Sequence, residues 1–397
     1  MTPISFVVPS YNNLRYLKNA YRSIRQYSGN EHEIIILDDS STDGTIDWVK
    51  SLEDTNLVLW ENTSGKRLGH TITYNIGGKL ASNPIFTILH ADMFIGPNYV
   101  ENALKHLKPG TVVSATRIEP PLHPEGKEKI VRDFGLWPET FMEREFVSFV
   151  EQEQTDRNGQ TTRGIFAPWF IYRDDFLRIG GHDELFAPFP YEDSDIFQRF
   201  VLAGYDIIQS RDALVYHLTC RGHKWTDDKE IGKVDDSFTV AETNARKNYL
   251  RKWNSWIKND EYHYPVVPPK YDTCVILPQT VSLHHLAFFE TWFGKVIVDN
   301  TELVETYVLQ EQPNTKLDMK KRITSEMDDL TIHDVYVKIN VDSFTEEDFN
   351  VIQQLSYILN DLEKTENPEG EYELGSIQIR VNRLRNIVNE LKITKEL

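Results

Sequence analysis

Short apolar runs alternate with helical patterns through the first 90 residues, and this alternation most constrains how the chain can fold. Apolar runs at residues 4–8, 33–37, 57–60 and 85–89 have the composition of strands. Between them, apolar side chains recur at the spacing of amphipathic helices. Strands that alternate with helices in this way are typical of βαβ units. We therefore predict an α/β domain with a mainly parallel sheet that is flanked by helices.

Acidic residues stand where two of these strands end. Asp38 and Asp39 follow the second strand, and Asp92 follows the strand at residues 85–89. In open α/β sheets, ligands bind beyond the carboxyl ends of the strands, so acids there can meet a metal ion or a phosphate. A solvated loop carboxylate is the alternative for Asp92 alone, but the repeated pattern favours a binding site. For Asp43, helix capping is favoured over ligand contact.

A third acidic cluster, Glu192-Asp193-Ser194-Asp195, precedes another helical pattern. Close like charges tend to raise the pKa of one member, and a raised pKa suits a general base. Acids in the first turn of a helix are also favoured by the helix dipole. Both interpretations hold together if Asp195 caps the helix while Asp193 acts as the base.

Histidines extend the candidate metal site around Asp92. Divalent cations such as Mg²⁺ and Mn²⁺ take oxygen ligands and bridge the phosphates of nucleotides. His90 adds an imidazole, which suits Mn²⁺ better than Mg²⁺, although a structural histidine bonded to the backbone is an equal alternative. His217 ends an apolar run and can complete the site. Further candidates for a metal or diphosphate contact are Arg221, His223 and Lys224.

Length and composition predict more than one domain. A chain of 397 residues is long for a single core, and a hydrophobic content of 40% fits a globular protein. A Pro-rich stretch at residues 265–269 is typical of a linker. We predict a first domain over residues 1–260, a linker over 261–272 and a smaller α/β domain over 273–397, which ends in a helix near residue 392. This last domain lacks a catalytic cluster, and we expect it to bind an acceptor, to mediate oligomerisation or to serve an unrelated role.

Charge and cysteine content exclude several classes of protein. The 61 acidic and 43 basic residues give a net charge of −18, and no basic stripe suits a nucleic acid. With two cysteines, Cys220 and Cys274, there is no disulfide framework, which indicates a reducing compartment. The N-terminus lacks the pattern of a signal peptide, and no apolar run reaches the roughly 20 residues that span a bilayer. We expect a cytoplasmic protein, with room for peripheral association with a membrane-bound acceptor.

Four motifs together resemble the family 2 glycosyltransferases of the GT-A fold, most of which are inverting enzymes. The motifs are VPSYN at residues 8–12, DDSSTDGT at 38–45, ILHAD at 88–92, and GGHDE at 180–184 with Glu-Asp at 192–193. The resemblance covers residues 1 to about 225. It implies a GT-A-type nucleotide-binding sheet, a UDP-, GDP- or dTDP-sugar donor, and a glycan, lipid-linked or protein acceptor.

The resemblance also implies roles for individual residues. Asp193 matches the catalytic base, which takes the proton of an acceptor hydroxyl during in-line attack on the anomeric carbon. Asp92 matches the last acid of the family's Asp-X-Asp metal motif, and His217 matches a histidine near the diphosphate. An Mn²⁺ or Mg²⁺ ion, with His90 as a further ligand, would stabilise the leaving diphosphate. The residues expected to contact the nucleotide-sugar are Pro9, Tyr11, Asn12, Asp38, Asp39, Gly69, Asp92, Trp169 and Glu192.

One departure and two alternatives accompany this interpretation. His90 stands where the family has the first acid of its metal motif, so the preferred ion can differ. A nucleotidyltransferase would need a Gly-rich, basic signature near the N-terminus, which residues 8–13 lack. A non-catalytic glycan-binding or assembly subunit would have no need of Asp92 and Asp193, whose presence favours an enzyme.

Overall fold

The structure, a computed structural model, describes residues 2–219, 224 and 232–394 of the chain. The chain divides into two units, and the first comprises Met1–Ala241, Asn259–Val266 and Ile393–Leu397. The second comprises Glu242–Lys258 and Val267–Lys392, so that helix α8 (Asp236–Trp253) supplies residues to both. Cys220, Arg221 and His223 lie outside the described residues. No helix in the described part of the chain is long and apolar enough to cross a bilayer.

Ten strands of the first unit form one sheet. In chain order they are β1 Ser5–Ser10, β2 Glu33–Asp38, β3 Leu57–Glu61, β4 Ile85–Ile88, β5 Met93–Ile95, β6 Thr111–Glu119, β7 Lys129–Val131, β8 Thr161–Thr162, β9 Trp169–Tyr172 and β10 Asp206–His217. The main order is β3-β2-β1-β4-β9-β6-β10-β5, with β7 beside β6 and β8 beside β10. The pairs β1–β2, β1–β4, β2–β3, β6–β10 and β6–β7 are parallel, whereas β5, β8 and β9 run antiparallel to their neighbours. The predicted α/β class with a mainly parallel sheet is confirmed.

Helices cover both faces of this sheet. Before α8 they are α1 Leu14–Tyr27, α2 Thr45–Lys50, α3 His70–Leu80, α4 Tyr99–Leu104, α5 Glu143–Asp156, α6 Arg173–Arg178 and α7 Glu192–Leu202, with 3₁₀ turns at Pro138–Thr140 and Glu184–Phe186. Alternate residues of β1 face opposite layers: Phe6 and Val8 pack with Leu17 of α1, whereas Val7 packs with Tyr74 of α3. Strands buried on both faces need no polar alternation, which explains the continuous apolar run at residues 4–8.

Strand β10 is longer than its sequence pattern suggests. We predict separate strands at residues 206–208 and 213–217, but the structure joins them in one strand, Asp206–His217. Its register with β6 shifts between Gln209 and Leu214, which marks a β-bulge. A bulge interrupts the alternation of side chains, so a continuous strand resembles two short ones in sequence.

The second unit contains a six-stranded sheet in the order β13-β12-β11-β14-β16-β15. Its elements are β11 Thr273–Leu277, α9 Leu283–Phe289, β12 Lys295–Val298, α10 Thr301–Glu311, α11 Met319–Arg322, β13 Ile323–Thr324, β14 Val335–Ile339, α12 Glu346–Leu362, β15 Gly370–Leu374 and β16 Ile377–Val381, with 3₁₀ turns at Glu290–Trp292, Gln312–Asn314, Val341–Ser343 and Val388–Leu391. The predicted final helix is wrong, because only that last 3₁₀ turn follows β16 in the described part. Hydrogen bonds join this segment to Lys270: Lys270 N donates to Oδ1 of Asn386, and Ile387 N donates to the Lys270 carbonyl oxygen.

Candidate functional site

His90, Asp92 and His217 converge at one edge of the first sheet. His90 and Asp92 lie in the turn between β4 and β5, and His217 ends β10, opposite Met93 of β5. One ligand atom from each of the three residues lies within 4.8 Å of the others. Nε2 of His217 is 3.5 Å from Oδ1 of Asp92. The antiparallel pairing of β5 with β10 therefore brings the three predicted metal ligands together.

Glu119, at the end of β6, holds the imidazole of His217. Its Oε1 lies 2.8 Å from Nδ1 of His217 and accepts a 2.8 Å hydrogen bond from Nη1 of Arg117. Burial opposes the ionisation of Glu119, but His217 and Arg117 hold its pKa far below the usual range. Burial also disfavours the imidazolium of His217, yet Asp92 and Glu119 outweigh it and raise its pKa to about 9. The sequence pattern does not point to Glu119, because only the pairing of β6 with β10 places it beside His217.

A first cavity, which we call the Asp39 cavity, opens at the carboxyl ends of β1, β2 and β4. Asp39 accepts hydrogen bonds from Leu68 N at 2.9 Å, from Gly69 N at 2.7 Å and from Nδ2 of Asn62 at 2.7 Å. These bonds hold the loop before α3 against the cavity. The cavity is lined by Pro9, Ser10, Tyr11, Asn13, Asp39, Arg67, His70, Thr73, His90, Ala91 and Asp92. Four of the predicted nucleotide-sugar contacts, namely Pro9, Tyr11, Asp39 and Asp92, thus share one cavity.

Asp38 and Asn12, also predicted as nucleotide-sugar contacts, are not among the residues that line this cavity. Asp38 is fully buried, its Oδ2 accepts a hydrogen bond from Ser41 N, and burial raises its pKa. Oδ1 of Asn12 accepts a 2.7 Å hydrogen bond from Thr42 N. Successive side chains at a strand end point in opposite directions, so Asp39 lines the cavity and Asp38 does not. Asp38 therefore supports the turn after β2, and Asn12 joins the turn after β1 to the turn after β2.

Asp43 behaves as the capping interpretation predicts. Its Oδ2 accepts a 2.8 Å hydrogen bond from Leu14 N, in the first turn of α1. Its Oδ1 accepts a 2.6 Å hydrogen bond from Oγ1 of Thr45, the first residue of α2. Both carboxylate oxygens are therefore occupied by helix N-termini, as expected of a capping residue.

Trp169 is placed in the core and not at a cavity. Its side chain is fully buried between Phe86 of β4, Phe176 of α6 and Phe200 of α7, with ring centroids 5.6 to 6.4 Å apart. It lines neither the Asp39 cavity nor the second cavity described below. We correct the predicted sugar contact to a packing role, since β9 is an inner strand and Trp169 faces the helix layer.

Gly69 occupies a position that only glycine fits. It precedes α3 with φ +84° and ψ 174°, a region that other residues essentially never adopt. A Cβ atom there would lie 2.3 Å from both Cβ and the carbonyl oxygen of Pro188. Gly69 therefore allows the segment that precedes α7 to pack directly against the loop held by Asp39.

The substitution Gly69→Ala is expected to destabilise the fold. The backbone conformation alone should cost about 1–3 kcal/mol, and displacement of Pro188 should add to that loss. Gly65→Ala is the matched control, because Gly65 has φ +70° but a Cβ atom at this position would have no neighbouring atom within 4 Å. Its loss should be about 1–2 kcal/mol. Urea unfolding measures both free energies, and equal losses would contradict the packing argument.

A second cavity, the Asp193 cavity, has a volume of about 400 Å³ and shares His70 and His90 with the first. Tyr191 has φ +82° and turns the chain so that α7 begins at this cavity with Glu192 and Asp193. The further lining residues are Tyr74, Arg117, Glu119, His123, Glu128, Lys129, Phe166, Phe189, Pro190, His217, Thr219, Lys224, Phe238 and His263. The two cavities are therefore adjacent, with the histidine and aspartate cluster between them.

Burial raises the pKa values of both carboxyl groups, Glu192 and Asp193. Burial and the charge of Asp193 raise the pKa of Glu192 well above its ordinary value, and its Oε2 has no hydrogen-bond partner in the described part of the chain. Burial raises the pKa of Asp193 to about 7, although Arg117 acts in the opposite direction. A carboxylate with a pKa near neutrality can accept a proton under physiological conditions.

The chain is similar in sequence to known glycosyltransferases. Residues 5–178 match the profile of Glycosyl transferase family 2. Validoxylamine A glucosyltransferase of Streptomyces hygroscopicus subsp. jinggangensis (strain 5008) is 28% identical over 232 residues, which cover 53% of this chain and 54% of that protein. This chain spans about half the length of the curated relatives it matches.

Two solved structures align with the chain at low sequence identity. Mannosyltransferase PcManGT from Pyrobaculum calidifontis, in complex with GDP-Man and Mn²⁺, has a TM-score of 0.44 and 16% identity over 80% of this chain and 78% of its own. GalNAc-T7 with UDP, GalNAc and Mn²⁺ has a TM-score of 0.45 and 15% identity over 64% of this chain and 48% of its own.

Proposed function

We propose that this protein transfers a sugar from a nucleotide-sugar donor to an acceptor hydroxyl. Residues 5–178 match the model of Glycosyl transferase family 2, as the resemblance of the four motifs predicts. The donor is a UDP-, GDP- or dTDP-sugar, and the hydroxyl belongs to a glycan, a lipid-linked or a protein acceptor. One observation carries this proposal: Asp193, with a pKa of about 7, lines a cavity that shares His70 and His90 with the Asp39 cavity.

The two cavities would divide the substrates between them. The nucleoside would lie in the Asp39 cavity against Pro9, Tyr11 and Asp39, with its diphosphate toward Asp92. The acceptor would enter the Asp193 cavity, where Asp193 takes the proton of the attacking hydroxyl. Attack in line with the departing diphosphate would invert the anomeric configuration without a covalent intermediate.

The cluster of His90, Asp92 and His217 fits a divalent cation. Glu119 accepts a hydrogen bond from Nδ1–H of His217, and Nε2 is directed toward Asp92, where a cation that displaces its proton would find a ligand atom. A carboxylate that orients a ligating histidine in this way is common at metal sites. Two imidazoles with one carboxylate suit Mn²⁺ better than Mg²⁺. A bound ion would neutralise the charge that develops on the leaving diphosphate.

A panel of sugar nucleotides tests the proposed function. Incubation with UDP-, GDP- and dTDP-sugars and Mn²⁺ should release the matching nucleoside diphosphate, first to water and faster when an acceptor is present. In a parallel incubation with a nucleoside triphosphate and a sugar phosphate, release of pyrophosphate would instead indicate a nucleotidyltransferase. If no donor releases a nucleoside diphosphate, the protein is not a glycosyltransferase and the non-catalytic alternative is favoured.

The substitution Glu119→Gln is expected to weaken Mn²⁺ binding about 10- to 100-fold, the usual cost of losing a residue that orients a metal ligand. The amide can no longer fix the protonation of His217 as the carboxylate does. Glu128→Gln is the matched control, because Glu128 lies 3.8 Å from Arg117, as an ion pair, and has no contact with His217. Titration followed by Mn²⁺ electron paramagnetic resonance measures both affinities, and equal values would refute the role of Glu119.

A further inference from the structure

Four cations line a third cavity in the first unit, with a volume of about 440 Å³. These cations are Lys127, Lys129, Arg157 and Arg211. No carboxylate is among the described residues that line this space, which we call the cationic cavity. A cavity whose charged lining residues are all cations is unexpected in a chain whose net charge is −18.

Arg211 is buried in the wall of this cavity without an ion pair. Arg211 is only 6% exposed. Its Nη1 donates to the Lys127 carbonyl oxygen at 3.0 Å and to Oε1 of Gln209 at 3.2 Å. No carboxylate of the described residues forms a salt bridge with it. Burial lowers its pKa, and the neighbouring Arg157 acts in the same direction, while the charges of Glu153 and Glu128 act against them. Burying a charge without a directly bonded counter-ion is costly, so a partner anion would stabilise this arrangement.

Three cations of the cationic cavity have carboxylate partners, Lys127 with Glu261, Lys129 with Glu119 and Arg157 with Glu153, whereas Arg211 has none among the described residues. Arg211 lies in the bulge of β10, and bulges often redirect a side chain toward a functional site. The next residue, Asp212, accepts hydrogen bonds from Gly159 N at 2.8 Å and from Oγ of Ser210 at 2.6 Å. Arg157 pairs with Glu153 one turn earlier in α5. The bulge therefore presents the cation of Arg211 to the cavity, whereas the carboxylate of Asp212 is bonded to Gly159 and Ser210.

Lys129 connects the cationic cavity with the catalytic region. It lines both this cavity and the Asp193 cavity. Its Nζ donates to Oε2 of Glu119 at 3.1 Å, and Glu119 holds His217. A molecule with its hydroxyl beside Asp193 can thus extend past Lys129 toward Arg211.

We propose that the cationic cavity binds a phosphate group carried by the acceptor. The planar guanidinium of arginine matches two phosphate oxygens at once, and the hydroxyl of Thr161, which also lines the cavity, supplies a further donor. The origin of the phosphate on an acceptor rests on the proposed function, whereas the binding of phosphate does not.

Inorganic phosphate is the first probe. Calorimetric titration of the full chain with phosphate, in the presence of a chelator, compares the wild type with Arg157→Gln and Arg211→Gln. Each variant should bind phosphate about tenfold more weakly or worse, since each removes a charge-assisted contact. Arg144→Gln is the matched control, because exposed Arg144 of α5 lies outside the cavity and carries the same charge. Arg157 is the more exposed of the two, so its variant remains informative if Arg211→Gln folds poorly. Unchanged affinities in both variants would overturn the inference.

Paired acceptors with and without a phosphate group identify the source of the anion. In Arg157→Gln, KM for the phosphorylated acceptor should rise about tenfold while kcat is retained, and KM for the unphosphorylated acceptor should not change. Phosphate binding without any KM preference would show that the cavity takes free phosphate, and the acceptor assignment would be wrong. A wild type that releases no nucleotide contradicts the proposed function, whereas equal phosphate affinities contradict this inference, so the two failures are distinguishable.

Discussion

Replacing Asp193 by Asn is expected to lower the rate of sugar transfer about 100- to 10,000-fold, the range that a general base contributes. The amide keeps the shape of the side chain but cannot take the proton of the acceptor hydroxyl. Nucleoside diphosphate release in the presence of acceptor measures the loss. Asp174→Asn is the matched control, because Asp174 is an exposed acid in the first turn of α6. Wild-type rates in Asp193→Asn would eliminate Asp193 as the base.

The same residue should set the pH dependence of the reaction. With a pKa of about 7, Asp193 is the required carboxylate only above that pH, so kcat/KM should rise as pH increases through about 7. A pH profile without this inflection would contradict the assignment.

The ionisation of Asp193 should lower the stability of the folded protein as pH rises, although it raises the activity. Burial raises the pKa of Asp193 in the folded protein, so ionisation costs folding free energy. This cost is absent below the ordinary carboxyl pKa of about 4, grows as pH rises to about 7, and is constant above it. Asp193→Asn removes the cost and should be at least as stable as the wild type at about pH 8, with the difference vanishing toward about pH 4. Thermal unfolding at several pH values checks both the size and the sign.

Replacing Asp92 by Asn is expected to abolish Mn²⁺ binding and to reduce transfer beyond the roughly 100-fold that loss of an orienting partner can cost. Asp92 is the one carboxylate in the described cluster with His90 and His217, so its amide leaves no anionic ligand for the ion. Electron paramagnetic resonance measures the bound Mn²⁺, and nucleoside diphosphate release measures the activity.

A chelator supplies the control for Asp92→Asn. The wild type treated with chelator should fall to the activity of the variant, and the variant should lose nothing more, because both changes remove the same ion. If the two effects add, or if the variant keeps its affinity for Mn²⁺, then Asp92 is not a ligand.

The acids that the sequence predicts as site residues lie at the ends of strands or at the start of a helix. Asp39 and Asp92 follow short apolar runs, and Asp193 precedes a helical pattern, so local periodicity was enough to find them. All three line the two adjacent cavities. Their catalytic, nucleotide and metal roles remain predictions that the experiments above address.

The sequence did not identify site residues whose position depends on strand pairing. Glu119 and Arg117 lie within a strand in a region of weak pattern, and only the register of β6 with β10 brings Glu119 to His217. The position of Trp169 in the core could not be read from the sequence for a related reason. Both faces of an inner strand are apolar, so its composition does not show whether a ring faces a cavity or the core.

The sequence by itself determined the α/β class, the alternation of strands and helices, and the family resemblance, because these follow from short-range periodicity and local motifs. Only the tertiary structure decided which side chains lie together. It places His217 in contact with Glu119, Lys129 in the walls of two cavities, and Arg211 of the β10 bulge in the wall of the cationic cavity. The physical reason is that strand order and register join segments far apart in the chain, and no local pattern encodes those distances.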